Sequence, residues 1–534
     1  MKITKLSFLT ACIVIAISLS ANAQTAVFAS KKSDLAESKL QRWSHLDLAT
    51  DSVPGMSVDK AYEFLKGKKP VKVIVGILDS GVDIAHEDLK NVLWTNKKEI
   101  VNNGKDDDKN GYIDDINGWN FLGDIEKEAY EYERIAKDPK NTDEATYKAA
   151  KAKIEDKLKQ DNAQHEQMLK TLAGVTKSDE ELVKILGKPV YTKEDVAAIV
   201  TEDAEMIKTK TRMIRMFGYG MTIAQLKTEI KKQMDATPLK TAAAEVPDYR
   251  KVLGDNPNDL NDRKYGNNNV TGPKKDGALH GTHVAGIVAA GRNNMIGGDG
   301  IADNVQIMTI RAVPDGDEYD KDVALGIRYA VDNGAKVING SFGKDFSPHK
   351  QWVYDALKYA ASKDVLFVHA AGNDGKNIDI ENNFPNDSDD KVTELASTTI
   401  TVGALNLTSD LIADFSNYGK INVDVFAPGV QIYATTPNNK YRYLAGTSMA
   451  APNVAGVAAL IRGYYPKLSA VQIKQILMTS GTALTTDVAV GGDPKNIQTF
   501  DKLSVNGKIV NAYNALKMAD EMSKQSIIKK KVKN

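Results

Sequence analysis

The chain has 534 residues, and its 70 lysine and arginine residues balance its 70 aspartate and glutamate residues. This length allows one large hydrophobic core together with a substantial insert or a second domain. Because the positive and negative charges cancel, no overall charge attracts the chain to nucleic acid or to an anionic membrane. We therefore predict a globular protein that does not bind nucleic acid.

The first 23 residues have the pattern of a secretory signal peptide. Lys2 and Lys5 precede an apolar stretch from Leu9 to Leu19, and small residues stand before a predicted cleavage after Ala23. A buried helix or a membrane anchor is disfavoured, because the stretch is shorter than the about 20 residues that a membrane span needs. We predict export to the periplasm, the cell surface or the medium, with no transmembrane span in the mature chain.

Cys12 is the only cysteine of the chain, and it lies inside this predicted signal peptide. Cleavage after Ala23 would leave a mature chain with neither a thiol nor a disulfide. The segment from Leu9 to Cys12 also resembles a lipoprotein cleavage box, which would leave a lipid on Cys12. This alternative is disfavoured because the apolar stretch continues beyond Cys12, whereas in a lipoprotein it would precede the cut.

Short apolar runs rich in β-branched residues predict buried parallel strands. These runs cover residues 71–78, 305–310, 337–339, 365–369 and 399–402. Apolar residues at helical spacing predict helices over residues 284–290, 322–333, 351–362 and 449–464. This alternation predicts an α/β fold, doubly wound, with a mainly parallel sheet that is flanked by helices. In such a sheet, functional residues gather beyond the carboxyl ends of the strands.

Residues 126–247 are rich in lysine, glutamate, aspartate and alanine, with apolar residues such as Met206, Met213 and Met216 at helical spacing. We predict that this block is a long helical insert. It is either a solvated helical hairpin or a lid, an inhibitory segment or a partner surface, and the sequence leaves these alternatives open. The other predicted units are an N-terminal segment, a catalytic domain in two parts and a basic tail, over residues 24–70, 71–125 with 248–520, and 521–534.

Three short segments that are far apart in the chain each supply one part of a serine nucleophile system. Asp79 ends an apolar run, His280 opens the motif His-Gly-Thr-His, and Ser448 stands in Gly-Thr-Ser-Met-Ala-Ala-Pro. Serine catalysis needs a hydroxyl, an imidazole that takes its proton, and a carboxylate that orients the imidazole. The chain order Asp, His, Ser differs from the order in chymotrypsin-like enzymes and in α/β-hydrolases, and it is typical of the subtilisin arrangement.

On these motifs the chain resembles the subtilase family of serine peptidases, over about residues 71–125 and 255–520. The resemblance implies a serine endopeptidase that cleaves proteins or peptides through an acyl-enzyme intermediate. Ser448 would be the nucleophile, His280 the general base and then the acid, and Asp79 the orienting carboxylate. The alternative is a non-catalytic, calcium-dependent binding protein on a subtilase scaffold. A lipase or esterase is disfavoured, because Ser448 is not in a Gly-x-Ser-x-Gly motif.

The oxyanion hole is predicted from two segments. Ser448 begins a predicted helix, where a free backbone N–H can donate to a developing oxyanion. The sequence Ala-Ala-Gly-Asn, which ends at Asn373, resembles the subtilase segment whose side-chain amide is the second donor. The resemblance also implies that Ser341, Phe342 and Gly343 pair with the substrate backbone and form one wall of the first specificity pocket.

His280 and His283 are three residues apart, a spacing that paired zinc ligands can also have. A zinc-protease helix would read His-Glu-x-x-His, whereas glycine and threonine stand between these two histidines and no glutamate base is present. We therefore predict that this helix binds no zinc and that His283 is a packed structural residue.

An acidic loop between residues 106 and 115 predicts a calcium site, because its Asp-x-Asp-x-Asn-Gly spacing is that of an EF-hand-type loop. The twelfth position is Asn117 instead of the usual glutamate, so other carboxylates would have to complete the shell. The predicted ligands are Asp106, Asp108, Asn110, Asp114 and Asp115. The alternative is an acidic turn that binds no ion.

Secreted subtilases usually carry an inhibitory propeptide before the catalytic domain. Here fewer than 50 residues separate Ala23 from the first predicted strand, at residue 71. We therefore expect the protein to fold without a full-length prosegment.

Overall fold

The computed structural model describes residues 35–533, except residues 218–220, 237, 240–245 and 409. The predicted signal peptide and Cys12 lie outside the described residues. The α-helices are α1 (Glu37–Leu40), α2 (Leu48–Asp51), α3 (Val58–Leu65), α4 (Glu131–Lys137), α5 (Glu144–Leu186), α6 (Lys193–Ala197), α7 (Ala204–Phe217), α8 (Ile223–Ala236), α9 (Leu279–Ala289), α10 (Asp320–Asp332), α11 (Lys350–Ser362), α12 (Thr447–Tyr464), α13 (Ala470–Ser480) and α14 (Ala512–Lys533).

The strands are β1 (Val73–Asp79), β2 (Gly118–Asn120), β3 (Val305–Arg311), β4 (Val337–Gly340), β5 (Leu366–Ala370), β6 (Thr399–Leu405), β7 (Val425–Pro428), β8 (Ile432–Thr436), β9 (Lys440–Leu444), β10 (Thr482–Ala483), β11 (Asp487–Val490), β12 (Asp493–Thr499) and β13 (Lys508–Ile509). Short 3₁₀ helices cover Trp43–His45, Pro139–Asn141, Arg250–Val252, Lys275–Ala278 and Phe500–Lys502.

Nine of these strands form one sheet, in the order β10-β13-β7-β6-β5-β4-β1-β3-β2. The strands from β2 to β7 pair in parallel with their neighbours, and β10 pairs antiparallel with β13 at one edge. Two further hairpins, β8–β9 and β11–β12, lie outside this sheet. The prediction of a mainly parallel sheet flanked by helices is confirmed.

The strand β1 shows why the predicted runs lack polar residues. Val75 and Ile77 point into a core that also contains buried residues of α9 and α12, whereas Leu78 points into a second core with α10 and α11. A parallel strand that is covered on both faces must be apolar on both. The five predicted strands correspond to β1, β3, β4, β5 and β6.

The four helices predicted for the catalytic domain correspond to α9, α10, α11 and α12. The largest difference is at α9, which begins at Leu279 instead of residue 284. Its first turn therefore contains His280, together with glycine and threonine, which have low helical propensity. Packing overrides this preference, because every residue from Gly281 to Ala289 is buried.

The described part of the N-terminal segment packs into the first core, where Trp43, Met56 and Val58 are at most 1 % exposed. The indole nitrogen of Trp43 lies 3.0 Å from the carbonyl oxygen of Val430 and 3.2 Å from that of Gln431. Residues 35–70 are therefore built into the body of the protein.

The predicted insert contains α4 to α8, and α5 alone has 43 residues, which gives it a length of about 65 Å. The far part of the insert has its own apolar cluster, with buried residues that include Val175, Leu182, Met213 and Leu226. The near part packs separately, through Tyr132, Ile135 and Ala150, against Phe346 of the body. The insert is thus helical, as predicted, with two distinct apolar clusters.

The helix α14 continues to Lys533, so the backbone of the segment that was predicted as a basic tail is helical as far as the structure describes it. Among the described residues, no helix is both long and apolar enough to cross a membrane.

Candidate active site

Three neighbouring strands bring the predicted residues to one edge of the sheet. Asp79 is the last residue of β1, while Ser341 follows β4 directly and Asn373 lies shortly after β5. The register aligns Leu78 with Gly340 across β1 and β4, and β4 pairs in turn with β5. Because the carboxyl ends of parallel strands meet at one edge, these three side chains share a crevice.

The first turn of α9 places His280 against the end of β1. The His280 Nδ1 atom lies 2.7 Å from Oδ1 of Asp79, although the two residues are 201 positions apart. Gly281 makes this approach sterically feasible, because a Cβ atom there would lie 2.1 Å from the Gly81 carbonyl oxygen. The side chain of His280 is 36 % exposed, while that of Asp79 is 1 % exposed. The imidazole therefore faces the crevice and the carboxylate lies behind it.

The electrostatics of this pair follow from burial and from the carboxylate. Burial lowers the pKa of His280, but the charge of Asp79 and the hydrogen bond to it outweigh burial, so the pKa is raised above its usual 6.5. The Asp79 Oδ1 atom also accepts the Ser80 N–H at 2.7 Å. Its other oxygen, Oδ2, is buried and has no partner among the described residues. The pair can hold one imidazole tautomer and stabilise an imidazolium.

Ser448 lies in the first turn of α12, where two hydrogen bonds join it to Ser341. The Ser341 hydroxyl donates to the Ser448 carbonyl at 2.9 Å, and the Ser448 hydroxyl donates to the Ser341 carbonyl at 3.3 Å. Within the described part of the chain, no hydrogen bond joins the Ser448 hydroxyl to His280. A serine that acts through His280 must therefore turn its hydroxyl away from Ser341.

Two N–H donors converge beside Gly446. The Asn373 Oδ1 atom accepts the N–H and the hydroxyl of Thr447, at 2.8 and 2.9 Å, which orients the amide. A Cβ atom on Gly446 would lie 3.7 Å from Asn373 Nδ2 and 3.6 Å from the Ser448 nitrogen. Neither nitrogen donates to any other described residue. The absence of a side chain at Gly446 thus leaves a space that can hold an oxyanion.

The predicted substrate wall runs from Ser341 to Gly343. The Phe342 ring is 8 % exposed and packs edge-on against His369 of β5. A Cβ atom on Gly340, just before this wall, would lie only 2.8 Å from the Phe367 ring. The Phe367 ring therefore occupies the space that a side chain at position 340 would need.

The insert contacts the body directly after this wall. The Lys344 ammonium group is 2.7 Å from the carboxylate of Glu131 on α4, and the Lys153 ammonium group on α5 is 2.5 Å from Asp345. Both contacts join the near part of the insert to the loop that carries the wall.

His283 faces away from the crevice. It is fully buried, and its Nε2 atom lies 3.1 Å from the carbonyl oxygen of Arg442 on β9. Burial lowers its pKa to about 4, so the ring is neutral near pH 7. These features are those expected of a packed structural histidine.

Two carboxylates of the acidic loop, Asp106 and Asp108, form a cluster with the carboxylate of Glu99. One oxygen of each group lies within 4.8 Å of the others. The sequence analysis missed Glu99, which precedes the loop. Its Oε1 atom accepts the Asp108 N–H at 3.0 Å, and its Oε2 atom is buried without a partner among the described residues. A buried unpaired carboxylate oxygen among other carboxylates fits a hard cation such as Ca²⁺.

The predicted ligands Asp114 and Asp115 lie outside this cluster and make other contacts. Asp114 accepts the N–H groups of Asn103 and Gly104, at 3.2 and 2.8 Å. Asp115 is buried beneath the loop, where it accepts from the Tyr329 hydroxyl at 2.6 Å, and burial raises its pKa to about 6.

The side-chain amide of Asn110 also has a partner within the loop. Its nitrogen donates to Asp115 Oδ2 at 3.0 Å, while its oxygen accepts the Tyr112 N–H at 2.8 Å. Of the five predicted ligands, the cluster therefore contains Asp106 and Asp108.

Residues 71–500 match the model of the subtilase family. A thermophilic serine proteinase from Bacillus sp. (strain AK1) is 39 % identical over 244 residues, which are 44 % of this chain and 52 % of that protein. A cell wall-associated protease from Bacillus subtilis (strain 168) is 38 % identical over 44 % of this chain and 24 % of its own length. Subtilisin DY from Bacillus licheniformis is 38 % identical over 42 % of this chain and 77 % of its own length. The chain thus spans about half or less of the first two relatives.

Proposed function

Because the chain belongs to the subtilase family, we propose that it is a serine endopeptidase with Asp79, His280 and Ser448 as its catalytic residues. The observation that carries this proposal is the 2.7 Å contact between His280 Nδ1 and Asp79 Oδ1. It joins two motifs that are distant in sequence, at the sheet edge where the first turn of α12 places Ser448. The relatives named as proteinases support the same chemistry.

In the proposed mechanism, the Ser448 hydroxyl turns from the Ser341 carbonyl toward the substrate and gives its proton to Nε2 of His280. Its oxygen attacks the carbonyl carbon of the scissile peptide bond. Asp79 accepts the Nδ1–H of His280, which keeps Nε2 free to take the proton and stabilises the imidazolium. The Oδ1 atom of Asp79 has the position that this role requires.

The negative charge on the former carbonyl oxygen would be held by Asn373 Nδ2 and the Ser448 N–H, beside Gly446. His280 then protonates the leaving amine, so that the peptide bond breaks and an acyl-enzyme on Ser448 remains. A water molecule then hydrolyses this ester. His280 takes a proton from the water as it attacks the acyl carbon, and it gives that proton to the Ser448 oxygen as the ester bond breaks. The convergence of these two nitrogens beside Gly446 supports this role, since donors held in advance would limit the cost of reorganisation.

The proposed substrates are proteins and peptides in an extended conformation. The wall from Ser341 to Gly343 would pair with the substrate backbone, as in the addition of a strand to a sheet. Such binding favours unfolded segments and flexible loops, because a residue inside a helix or a sheet cannot present a free backbone.

We also propose a structural calcium ion in the acidic loop, held by Glu99, Asp106 and Asp108. The ion would neutralise these carboxylates and stabilise the loop, with no part in bond cleavage. From the sequence pattern of residues 1–23, we also propose that a signal peptide directs the export of the protein.

Hydrolysis of casein by the purified protein, compared with Ser448→Ala, tests this function. Ser448→Ala should lose most of the activity. Substrate binding and the oxyanion donors alone should still accelerate hydrolysis by about 10³–10⁴-fold, at most, over the uncatalysed reaction in water. A fluorophosphonate should label the wild type at Ser448 and leave Ser448→Ala unlabelled. A folded wild type that neither hydrolyses casein nor reacts with the fluorophosphonate would contradict the proposal and favour a binding protein on this scaffold.

A further inference from the structure

A cavity of about 240 Å³ lies where the insert joins the body of the protein. We call it the junction cavity. Both ends of the insert line it, at positions between 128 and 142 and at 246–247, and residues of the body such as Tyr319 complete the lining. The Lys137 ammonium group donates to the Val246 carbonyl at 2.6 Å, which joins the two ends of the insert beside the cavity. None of the three proposed catalytic residues lines it.

The lining of the junction cavity combines acidic groups with an apolar surface. Five carboxylates line it, against two basic side chains: Glu128, Glu131, Asp138, Asp248 and Asp320 against Arg134 and Lys137. Burial lowers the pKa of His349, which also lines the cavity, so this ring adds no positive charge near pH 7. Much of the remaining surface is apolar, with side chains that include Ile135, Val246, Pro247, Pro257 and Pro348. A molecule that matches this lining has a positive charge and an apolar body.

Glu128 is the carboxylate of this lining that lacks a counter-charge. The residue is 6 % exposed, and its Oε1 atom is buried without a partner among the described residues. Its backbone is fixed to the body, because its N–H donates to the Asp315 carbonyl at 2.9 Å. Burial raises the pKa of Glu128 to about 7, which shows that its negative charge is poorly compensated. A cation that enters the cavity can compensate it.

The two arginines close to Glu128 have other acceptors. The Arg134 guanidinium donates to Glu131 and to three backbone carbonyls, at 2.6 to 3.3 Å. The Arg250 guanidinium is paired with two other carboxylates, at 2.7 and 2.8 Å. Both guanidinium groups also lie over the Tyr319 ring, 3.9 and 4.3 Å from its centre. These arginines are thus held in place by other groups and form no ion pair with Glu128.

We propose that the junction cavity binds a small organic amine in its ammonium form, with the Glu128 carboxylate as the counter-charge. The ammonium group donates to Glu128, and a short hydrocarbon chain packs against the apolar part of the lining. A cavity of about 150 Å³ can hold benzene, so the junction cavity has room for a chain of about six carbons. A divalent metal ion fits less well, because it needs several free oxygen ligands. The bound amine contacts both the insert and the body and therefore joins them.

Isothermal titration calorimetry of the full chain tests this inference with three probes of equal chain length: n-hexylamine, n-hexanol and hexanoate. The protonated amine should bind at least about tenfold more tightly than the neutral or the anionic probe, because only the ammonium group can pair with a carboxylate. Glu128→Gln keeps the shape of the side chain and removes its charge. This variant should bind the amine about tenfold or more weakly than the wild type does.

Glu155→Gln is the matched control, because it makes the same substitution at an exposed residue of α5 that does not line the cavity. It should bind the amine with the wild-type affinity. The circular dichroism spectrum of each variant shows whether it is folded before its affinity is compared.

The pH dependence of binding to the wild type provides a second test, which needs no variant. The charged groups that act on Glu128 are Arg134 of α4, Asp248 and Arg250 of the segment after the insert, and Asp322 of α10. With the pKa of Glu128 raised to about 7, the affinity for the amine should fall by about tenfold from pH 8 to pH 6, because the protonated carboxyl carries no charge.

Three results would each overturn this inference: no measurable binding of the amine, equal binding of n-hexanol, or an unchanged affinity in folded Glu128→Gln. A wild-type affinity that is the same at pH 6 and pH 8 would also overturn it. All these results leave the proposed peptidase function intact, because the catalytic residues of that proposal lie outside the cavity. Conversely, a protein that binds the amine and cleaves no peptide would retain this site and lose the proposed function.

Discussion

Asp79 holds His280 through a single carboxylate oxygen. The Oδ1 atom lies 2.7 Å from His280 Nδ1, while Oδ2 is buried with no partner in the described part of the chain. In the described part of the chain, no lysine or arginine contacts Asp79, so its negative charge acts on the imidazole of His280. This explains why the pKa of His280 is raised although its ring lies in a partly buried site.

Asp79→Asn should lower kcat by about 10⁴-fold, because an amide can stabilise the wrong imidazole tautomer. The general base must be neutral, and the wild-type pKa of His280 is raised above 6.5, so wild-type activity should fall as the pH decreases through a midpoint above that value. Loss of the negative charge should move this midpoint to lower pH. The pH profile of kcat/KM measures both effects.

Asp332→Asn, at the end of α10, is a suitable control for that substitution, since its carboxylate contacts the Tyr359 hydroxyl at the other edge of the sheet. It should change neither the rate nor the midpoint. An Asp79→Asn profile with the wild-type midpoint would show that another group governs the pH dependence.

Asn373→Leu should lower kcat with little change in KM, because the proposed oxyanion donor would act on charge that develops only in the transition state. Removal of the corresponding donor in a subtilisin costs about 10²–10³-fold in kcat, and a similar loss is expected here. Thr447→Val, which removes one of the two hydrogen bonds that orient this amide, should give a smaller loss in the same direction. Steady-state kinetics on one peptide distinguish the two parameters, and a rise in KM at constant kcat would place Asn373 in substrate binding instead.

Calcium should raise the melting temperature of the wild type, and a chelator should lower it. A site that binds only the folded state contributes about 2.7 kcal/mol when the ion is at 100 times its dissociation constant. Glu99→Gln should remove most of the calcium-dependent shift, whereas Asp114→Asn should retain it, because Asp114 caps backbone N–H groups outside the cluster. Differential scanning calorimetry with and without calcium tests the assignment, which fails if the two variants respond alike.

Trp43→Ala should destabilise the folded protein by about 3–5 kcal/mol, because it empties a site that is 1 % exposed and leaves the Val430 carbonyl without its donor. The free energy of unfolding in urea is the measurement. Val200→Ala, at a side chain that is 99 % exposed, should change it by less than about 0.5 kcal/mol. An equally small effect of Trp43→Ala would mean that residues 35–70 do not belong to the stable core.

The sheet was predictable, and the candidate catalytic motifs could be recognised, because their signals are local. The run that ends at Asp79 is apolar on both faces over one continuous stretch, and the motifs around His280 and Ser448 each span only a few neighbouring residues. The strand β2 escaped prediction because its sequence, Gly-Trp-Asn, is not an apolar run rich in β-branched residues.

Other features depend on contacts between residues that a short stretch of sequence does not bring together. Glu99 meets Asp108 through a turn that precedes the acidic loop. The spacing of the loop predicts Asp115 as a ligand, and only the structure shows that its carboxylate accepts from the hydroxyl of Tyr329, 214 residues away. In each case the sequence contains the residue, and its surroundings come from tertiary packing.

The far part of the insert is stabilised by side chains that all lie between residues 168 and 234. Its folding free energy therefore arises within this one contiguous stretch of the chain, apart from the cores around the sheet. A protein with such an arrangement need not unfold in one cooperative step. In calorimetry, the heat absorbed on melting should divide into two transitions, because the far part of the insert should lose its structure while the crevice at the sheet edge stays assembled.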